Sequence, residues 1–145
     1  MDLGRMTTVD EQLARDVARY DPARLRRLTA AIVRHGLDQA PVADPRLTAG
    51  LTQLDAGPWG DTAIRADLQG LVDELDEIAW DAQEAAEEGD GDEAEYDVTF
   101  ARARAAHALF FALDADPVRA ALESAYEVQA GLGDFPAVEA ILRGA

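Results

Sequence analysis

The sequence predicts a single all-α domain over residues 1–145, a helical bundle of six or seven helices, and three observations predict it. First, Asp21, Asp44 and Asp116 each precede a proline. An aspartate followed by proline favours a helix start, because the carboxylate accepts a backbone N–H of the first turn and proline has none to satisfy. Second, an apolar pattern with helical spacing runs over residues 61–88. Third, no stretch combines β-branched residues with strict apolar–polar alternation, as a strand would.

Residues that favour the beginning or the end of a helix predict the bounds of the individual helices. We expect them over residues 8–20, 22–35, 45–56, 61–88, 93–114, 117–130 and 136–143. Thr8 and Glu11 have the spacing of a capping box for the first helix. Four glycines are expected to end helices, because glycine adopts the left-handed conformation at a helix C-terminus. They are Gly36, Gly57, Gly89 and Gly131.

The bundle is expected to be built around a long antiparallel helical hairpin, residues 61–88 and 93–114. The first helix carries an apolar seam with 4-3 spacing, which predicts packing against another helix. The seam comprises Ile64, Leu68, Leu71, Leu75, Ile78, Ala82 and Ala85, with Val72, Ala79 and Ala86 beside it. The short turn at residues 89–91 predicts that the second helix returns along the first. Its facing residues are Tyr96, Phe100, Ala103, His107, Phe110 and Phe111, with Leu113 at the edge.

Negative charge is concentrated in residues 67–97, which we name the acidic segment. It holds fourteen carboxylates and no basic residue. Residues 1–36 hold seven arginines against five acids, whereas residues 37–145 hold six arginines against 24 acids, and the whole chain has a formal charge of −16. Such a field repels nucleic acid and acidic membranes and favours cationic partners. We therefore expect a basic protein partner.

The residue types that are missing exclude several chemistries. Without cysteine there are no disulfides, thiolate nucleophiles or cysteine metal sites. Without lysine there is neither Schiff-base chemistry nor a Walker-type phosphate loop. The only serine, Ser124, is not in a G-x-S-x-G motif. The absence of lysine and asparagine, both encoded by A-rich codons, indicates a GC-rich bacterial genome.

The chain carries no sequence pattern of export or membrane insertion. Its first twelve residues lack the basic region and apolar run of a secretory signal. No stretch approaches the 18 apolar residues of a membrane span. We therefore expect a cytoplasmic protein that does not enter a membrane.

Trp80 is the single residue that most strongly suggests a binding function. It lies on a face of its helix that is rich in carboxylates and separate from the apolar seam. These carboxylates are Asp73, Asp76, Glu77, Glu84 and Glu87. A tryptophan among acids is suited to a basic partner, because indole rings pair with arginine and are frequent binding hot spots. The alternative is that Arg24, Arg26 or Arg27 stacks over the indole within the chain.

His107 is the second candidate. It lies in the middle of an apolar helix face, beside Phe100, Phe110 and Phe111. We interpret it as a buried neutral side chain held by one hydrogen bond, with a pH-dependent switch or an acid/base group as the alternative.

A magnesium enzyme is the first alternative function. Glu74-x-x-Glu77 followed by Asp92-x-x-Glu95 resembles the paired-acid pattern of all-α nucleotide pyrophosphohydrolases, over about 22 residues. The resemblance implies a Mg²⁺-dependent hydrolase whose carboxylates hold the metal. Against it, Glu74 and Glu77 project away from the apolar seam, and neither histidine of the chain belongs to a Glu-x-x-His pair.

A DNA-binding regulator is the second alternative. Arg24, Arg26, Arg27 and Arg34 lie on the second helix, where an arginine-bearing surface is able to contact phosphates. The strongly acidic remainder of the chain opposes this function, and we expect no nucleic-acid partner.

These observations favour a non-enzymatic interaction or regulatory protein without a cofactor. A basic protein partner fits an immunity, an antitoxin or a DNA-mimic role, and the sequence does not distinguish among the three. The width of the apolar seam also predicts a homodimer, because one returning helix covers only part of it.

Overall fold

A computed structural model describes residues 2–144. Its α-helices are α1 (Thr7–Val17), α2 (Pro22–Gln39), α3 (Pro45–Ala56), α4 (Ala63–Glu87), α5 (Glu93–Ala112), α6 (Pro117–Leu132) and α7 (Phe135–Leu142), preceded by a 3₁₀ turn at Gly4–Met6. The predicted helical bundle is confirmed, since these residues form seven α-helices and no strand. Not one of these helices is both long and apolar enough to cross a bilayer.

The predicted acidic caps are confirmed. Asp21, Asp44 and Asp116 each accept a hydrogen bond from a backbone N–H in the first turn of α2, α3 and α6, at 2.9–3.0 Å. Thr62 and Asp92 cap α4 and α5 in the same way, at 3.2 and 2.9 Å. Each cap satisfies a donor that would otherwise have no partner at the helix start.

The predicted capping box at Thr8 and Glu11 is wrong, because Asp10 caps the first helix. The backbone of Asp10 is extended, with φ −156° and ψ 98°, and its carboxylate accepts a hydrogen bond from the N–H of Leu13 at 3.0 Å. The hydroxyl of Thr8 instead donates to the carbonyl of Arg5 at 2.7 Å. The regular part of α1 therefore begins after Asp10.

Two of the four predicted glycine stops are correct. Gly57 and Gly89 follow α3 and α4 with positive φ, whereas Gly36 and Gly131 lie inside α2 and α6. The end of α6 is formed by Gly133, which has the left-handed conformation.

Gly36 and Gly131 are instead required by close helix packing. A Cβ on Gly36 would lie 2.9 Å from a methyl carbon of Val128, and a Cβ on Gly131 would lie 2.7 Å from the Cβ of Arg104. Both distances are shorter than carbon atoms tolerate. Gly36 therefore lets α2 approach α6, and Gly131 lets α6 approach α5.

Helix α5 runs through the centre of the bundle, where it contacts α2, α3, α4 and α6. Its C-terminal half is enclosed, and its small side chains let the neighbouring helices approach closely. The buried residues are Ala103, Ala105, Ala106, Ala108, Leu109 and Ala112. The predicted aromatic face is thus only the edge of the buried surface, since Phe100 and Phe110 are half-buried.

The apolar seam of α4 follows the prediction at Leu68 and Leu71, which are buried. Further along, the buried residue is Ala79, whereas Ile78, which we placed in the seam, is 53% exposed. Residues spaced every 3.5 positions move gradually around a straight helix of 3.6 residues per turn. The buried side of α4 therefore passes from the predicted seam to the residues beside it. Val72 and Ala79, whose extra width suggested a homodimer, are covered within the chain, and the homodimer stays a prediction.

The far end of the α4–α5 hairpin stands apart from the core. No side chain is buried between residues 80 and 102, although both helices are regular there. The predicted antiparallel return is confirmed, because α4 and α5 pack extensively along each other across the short turn. The acidic segment therefore occupies the outer part of an ordered hairpin.

Alanine substitutions at two helical glycines test these close contacts. Gly131→Ala should destabilise the protein by about 1–3 kcal/mol, because the new methyl group overpacks the α5–α6 interface. At Gly70 of α4, the nearest atom to an added Cβ is Nη1 of Arg46 at an ordinary 3.7 Å. Gly70→Ala should therefore stabilise the protein by about 0.5–1 kcal/mol. Urea unfolding followed by circular dichroism measures both changes, and equal effects at the two sites would contradict the packing described.

Candidate functional site

Trp80 is exposed on the surface of α4. Its side chain is 65% exposed, the largest fraction among the large apolar residues of the described chain. The indole N–H donates a hydrogen bond to the Glu84 carboxylate at 3.0 Å, one helical turn further along. This bond restricts the orientation of the ring while leaving it accessible. An exposed tryptophan with a fixed orientation is typical of a binding surface rather than of a core.

The alternative that arginines of the N-terminal helices cover Trp80 is wrong. The guanidinium of Arg24 lies over the ring of Tyr20, with its central carbon 3.6 Å from the ring centre. The guanidinium of Arg26 lies over Trp59 at 4.2 Å. The expected arginine–tryptophan stacking thus occurs, but at the other tryptophan of the chain.

Trp80 shares one side of α4 with five carboxylates, and we name this side the Trp80 face. Its acidic residues are Asp73, Asp76, Glu77, Glu84 and Glu87. They lie three, four or seven positions from Trp80, which places them on the same side of a regular helix. Because α4 is helical over all of these positions, the residues share one side of it, and their role as a binding site stays a prediction.

Few of the carboxylates in the acidic segment are neutralised. Only two of the fourteen form an ion pair with any residue between 2 and 144. Glu74 pairs with Arg46, and Asp76 pairs with Arg104 at 2.6 Å. The other twelve have no basic partner within this part of the chain. The segment is thus a concentrated negative field that the protein itself does not compensate.

The structure does not gather the four carboxylates of the magnesium alternative, Glu74, Glu77, Asp92 and Glu95, into one cluster. Within residues 2–144, no group of three or more acidic or histidine side chains is arranged to hold a metal ion. Glu74 is bound by Arg46, and Asp92 accepts the backbone N–H of Ala94 at 2.9 Å as the cap of α5.

The arginines of the N-terminal helices are largely used within the chain. Arg15 pairs with Glu11 at 2.8 Å, and Arg34 pairs with Asp55 at 2.8 Å. Arg24 also stacks on a tyrosine ring. These contacts leave few arginines of the N-terminal helices available to bind phosphates, as the DNA-binding alternative requires.

A buried ionic network lies at the base of the hairpin, and sequence reasoning missed it. The carboxylate of Glu127 in α6 is fully buried. It accepts hydrogen bonds from Arg5 at 2.7 Å and from Arg104 at 2.9 Å. Arg104 also donates to Asp76 at 2.6 Å, and Arg5 also donates to Glu123 at 2.7 Å. The network joins the 3₁₀ turn, α4, α5 and α6.

One signal in the sequence indicates this network. Glu127 follows Ser124 by three positions and Ala120 by seven, so it lies on a face of α6 made of small buried residues. An acid on such a face needs a basic partner inside the protein. The identity of that partner is not visible in the sequence, because Arg5 is 122 positions away.

His107 lies beside the network as a neutral ring. Its Nδ1 is 3.6 Å from a Glu127 oxygen, which is too long for a hydrogen bond, and the buried nitrogen has no hydrogen-bond partner among residues 2–144. The ring stacks on Phe111, with centroids 4.6 Å apart. Burial lowers the pKa of His107, and the neighbouring Glu127 only partly opposes this effect. The predicted single hydrogen bond is therefore replaced by aromatic stacking.

Comparison with known proteins adds no relative. The chain matches no protein-family model, no curated protein and no solved structure. The functional argument therefore depends on the residues of this chain.

Replacing His107 with glutamine tests its neutral state. The pKa of His107 is below the ordinary 6.5 in the folded protein, because burial disfavours the charged ring. The unfolded chain therefore takes up a proton first as the pH falls, so the stability contributed by His107 is present at pH 7 and is lost at lower pH. We expect the melting temperature of the wild type to fall relative to that of His107→Gln between pH 7 and 5. Both proteins contain the same carboxylates, so a constant difference between them would contradict the prediction.

Proposed function

We propose that the protein is a non-enzymatic interaction protein whose Trp80 face binds a basic segment of another protein. The observation that carries the proposal is the exposure of Trp80, at 65%, among carboxylates with few ion-pair partners. An apolar ring of this size normally leaves water when a monomeric protein folds. Its exposure beside unneutralised acids is explained by a partner that supplies both apolar contact and positive charge.

The chemistry of the Trp80 face is suited to arginine-bearing partners. A guanidinium group is planar, stacks on an indole face and donates to carboxylates at the same time. The bond from Trp80 to Glu84 keeps the ring in place, so less side-chain freedom is lost on binding. The surrounding acids, Asp73, Glu77 and Glu87, would increase the association rate through long-range attraction.

The hairpin presents this face in a rigid way. Asp76, on the Trp80 face, is bound by Arg104, which is bound in turn by the buried Glu127. The face is thus connected to the core by consecutive charge-assisted hydrogen bonds. A partner therefore meets a preorganised surface rather than a flexible acidic tail.

Three roles share the requirement for a basic partner. An immunity protein and an antitoxin would each mask a basic surface of a toxic enzyme, and a DNA mimic would occupy a DNA-binding site. Each would operate with a basic protein in a bacterial cytoplasm, the setting that the composition suggests. The identity of the captured partner distinguishes the three.

Two alanine variants at exposed apolar residues test the proposal. Trp80→Ala should weaken binding of the partner by about 2–4 kcal/mol, the effect of a hot spot. Ile78→Ala is the matched control, because Ile78 is also exposed on α4 but lies on the opposite side of the helix. Each variant should change the free energy of unfolding by less than about 1 kcal/mol, as surface changes do.

The measurement uses the full chain as bait in a lysate of its source organism, followed by calorimetric titration of each variant with the purified partner. We expect the wild type and Ile78→Ala to capture the same basic protein and Trp80→Ala to lose most of it. Glu84→Gln, which keeps an acceptor for the indole N–H, should cause a smaller loss than Trp80→Ala. Equal capture by all four proteins would contradict the proposal.

A further inference from the structure

A concave surface that contains no residue of the acidic segment lies elsewhere on the protein, and we name it the Arg–Trp groove. It has a volume of about 620 Å³ and is formed by the starts of α2 and α6, the end of α3 and the corner that carries Trp59. The residues that matter for its chemistry are Pro22, Arg26, Arg27, Leu54, Trp59 and Pro117. This volume is typical of sites for small organic molecules.

The walls of the groove are apolar and well fixed. The indole N–H of Trp59 donates to the carbonyl of Leu54 at 3.2 Å, which holds the ring against the end of α3. The guanidinium of Arg26 covers the ring, at 4.2 Å from its centre. Pro22 and Pro117 each occupy the first turn of a helix, where their rings are rigid. A flat apolar ligand therefore meets a preformed surface.

Arg26 contributes a positive charge, and no carboxylate among residues 2–144 forms an ion pair with it. It donates to the carbonyls of Ala112, Asp114 and Ala115, at 3.2, 2.8 and 3.1 Å. Burial lowers its pKa, and the more distant charges of Asp114 and Asp116 partly oppose this effect. The side chain is therefore held in place by carbonyls at the end of α5 while it retains its full charge.

Arg27 lies beside Arg26 in the wall of the groove and is exposed. It forms neither an ion pair nor a side-chain hydrogen bond with the residues between 2 and 144. Within the described part of the chain, one acid lines the groove, Asp55, and Arg34 binds it at 2.8 Å. The groove is therefore a positively charged apolar cavity in a protein whose formal charge is −16.

We propose that the Arg–Trp groove binds a small molecule that combines an aromatic ring with a carboxylate. The ring would lie against Trp59, which is 37% exposed, and against Pro22, where it loses contact with water. The carboxylate would be bound by Arg27, whose guanidinium offers two parallel donors. A neutral ring of the same shape would lack this contact, and a cationic ring would be repelled. This site is independent of the Trp80 face, so the failure of either proposal leaves the other intact.

Naphthalene-2-carboxylate is a suitable probe, with naphthalene-2-carboxamide as its neutral isostere. We expect calorimetric titration in about 0.15 M salt to give a Kd of about 1 mM or tighter for the carboxylate, as a ligand of this size allows. The carboxamide should bind about tenfold more weakly. In ¹⁵N spectra, the carboxylate should shift the indole N–H signal of Trp59 and leave that of Trp80 unchanged. Trp80→Phe assigns the two signals.

Three variants locate the binding site. Arg27→Gln should reduce affinity for the carboxylate about tenfold and leave affinity for the carboxamide unchanged. Arg19→Gln removes the same charge from an exposed position outside the groove and should behave as the wild type. Ala23→Trp places a large side chain at an exposed position of the groove and should abolish binding of both probes. The proposal would be overturned if Arg27→Gln and Ala23→Trp bound the carboxylate as the wild type does. It would also be overturned if the carboxylate did not shift the Trp59 signal.

Discussion

The buried carboxylate of Glu127 determines how four elements of the chain meet. A buried charge without a partner costs several kcal/mol, so Glu127 is compatible with this fold only where Arg5 and Arg104 reach it. Arg5 brings the 3₁₀ turn onto α6, and Arg104 brings α5 onto α6. Because Arg104 also binds Asp76, the same network includes α4. The contact requires α5 and α6 to be close, which the absence of a side chain at Gly131 permits.

This arrangement divides the charges of the protein between two surfaces. At the base of the hairpin, Arg5 and Arg104 bind the buried carboxylate of Glu127 instead of the outer carboxylates of the hairpin. The acidic segment consequently keeps twelve carboxylates without an ion-pair partner among residues 2–144. The Arg–Trp groove shows the opposite imbalance, because no carboxylate among residues 2–144 forms an ion pair with Arg26 or Arg27. The same protein thus carries an acidic segment that is largely unneutralised and a groove lined by two arginines.

Local signals in the sequence predict the helices, but they do not predict contacts between residues that are far apart in the chain. The acidic caps at Asp21, Asp44 and Asp116 act within one helical turn, and the position of Trp80 opposite the seam follows from helical geometry alone. The prediction that Gly36 and Gly131 end helices is wrong, because the sequence does not distinguish a glycine that permits close packing from one that ends a helix. The Glu127 network and the Arg–Trp groove join segments far apart in the chain, and no spacing rule relates such segments. The exposure of Ile78 has a similar cause, because the position of the partner helix determines which apolar residues of α4 are buried.

Chemical-shift mapping with an arginine-rich peptide tests whether the Trp80 face is the surface for a basic partner. The two tryptophans provide two indole N–H signals, one on the Trp80 face and one in the Arg–Trp groove. We expect a ten-residue peptide of arginine and glycine to shift the Trp80 indole signal and the amides of α4 from residue 73 to residue 87, with an effect that decreases as salt is added. A Trp80 signal that does not move at saturating peptide, or shifts confined to the N-terminal helices, would contradict this expectation.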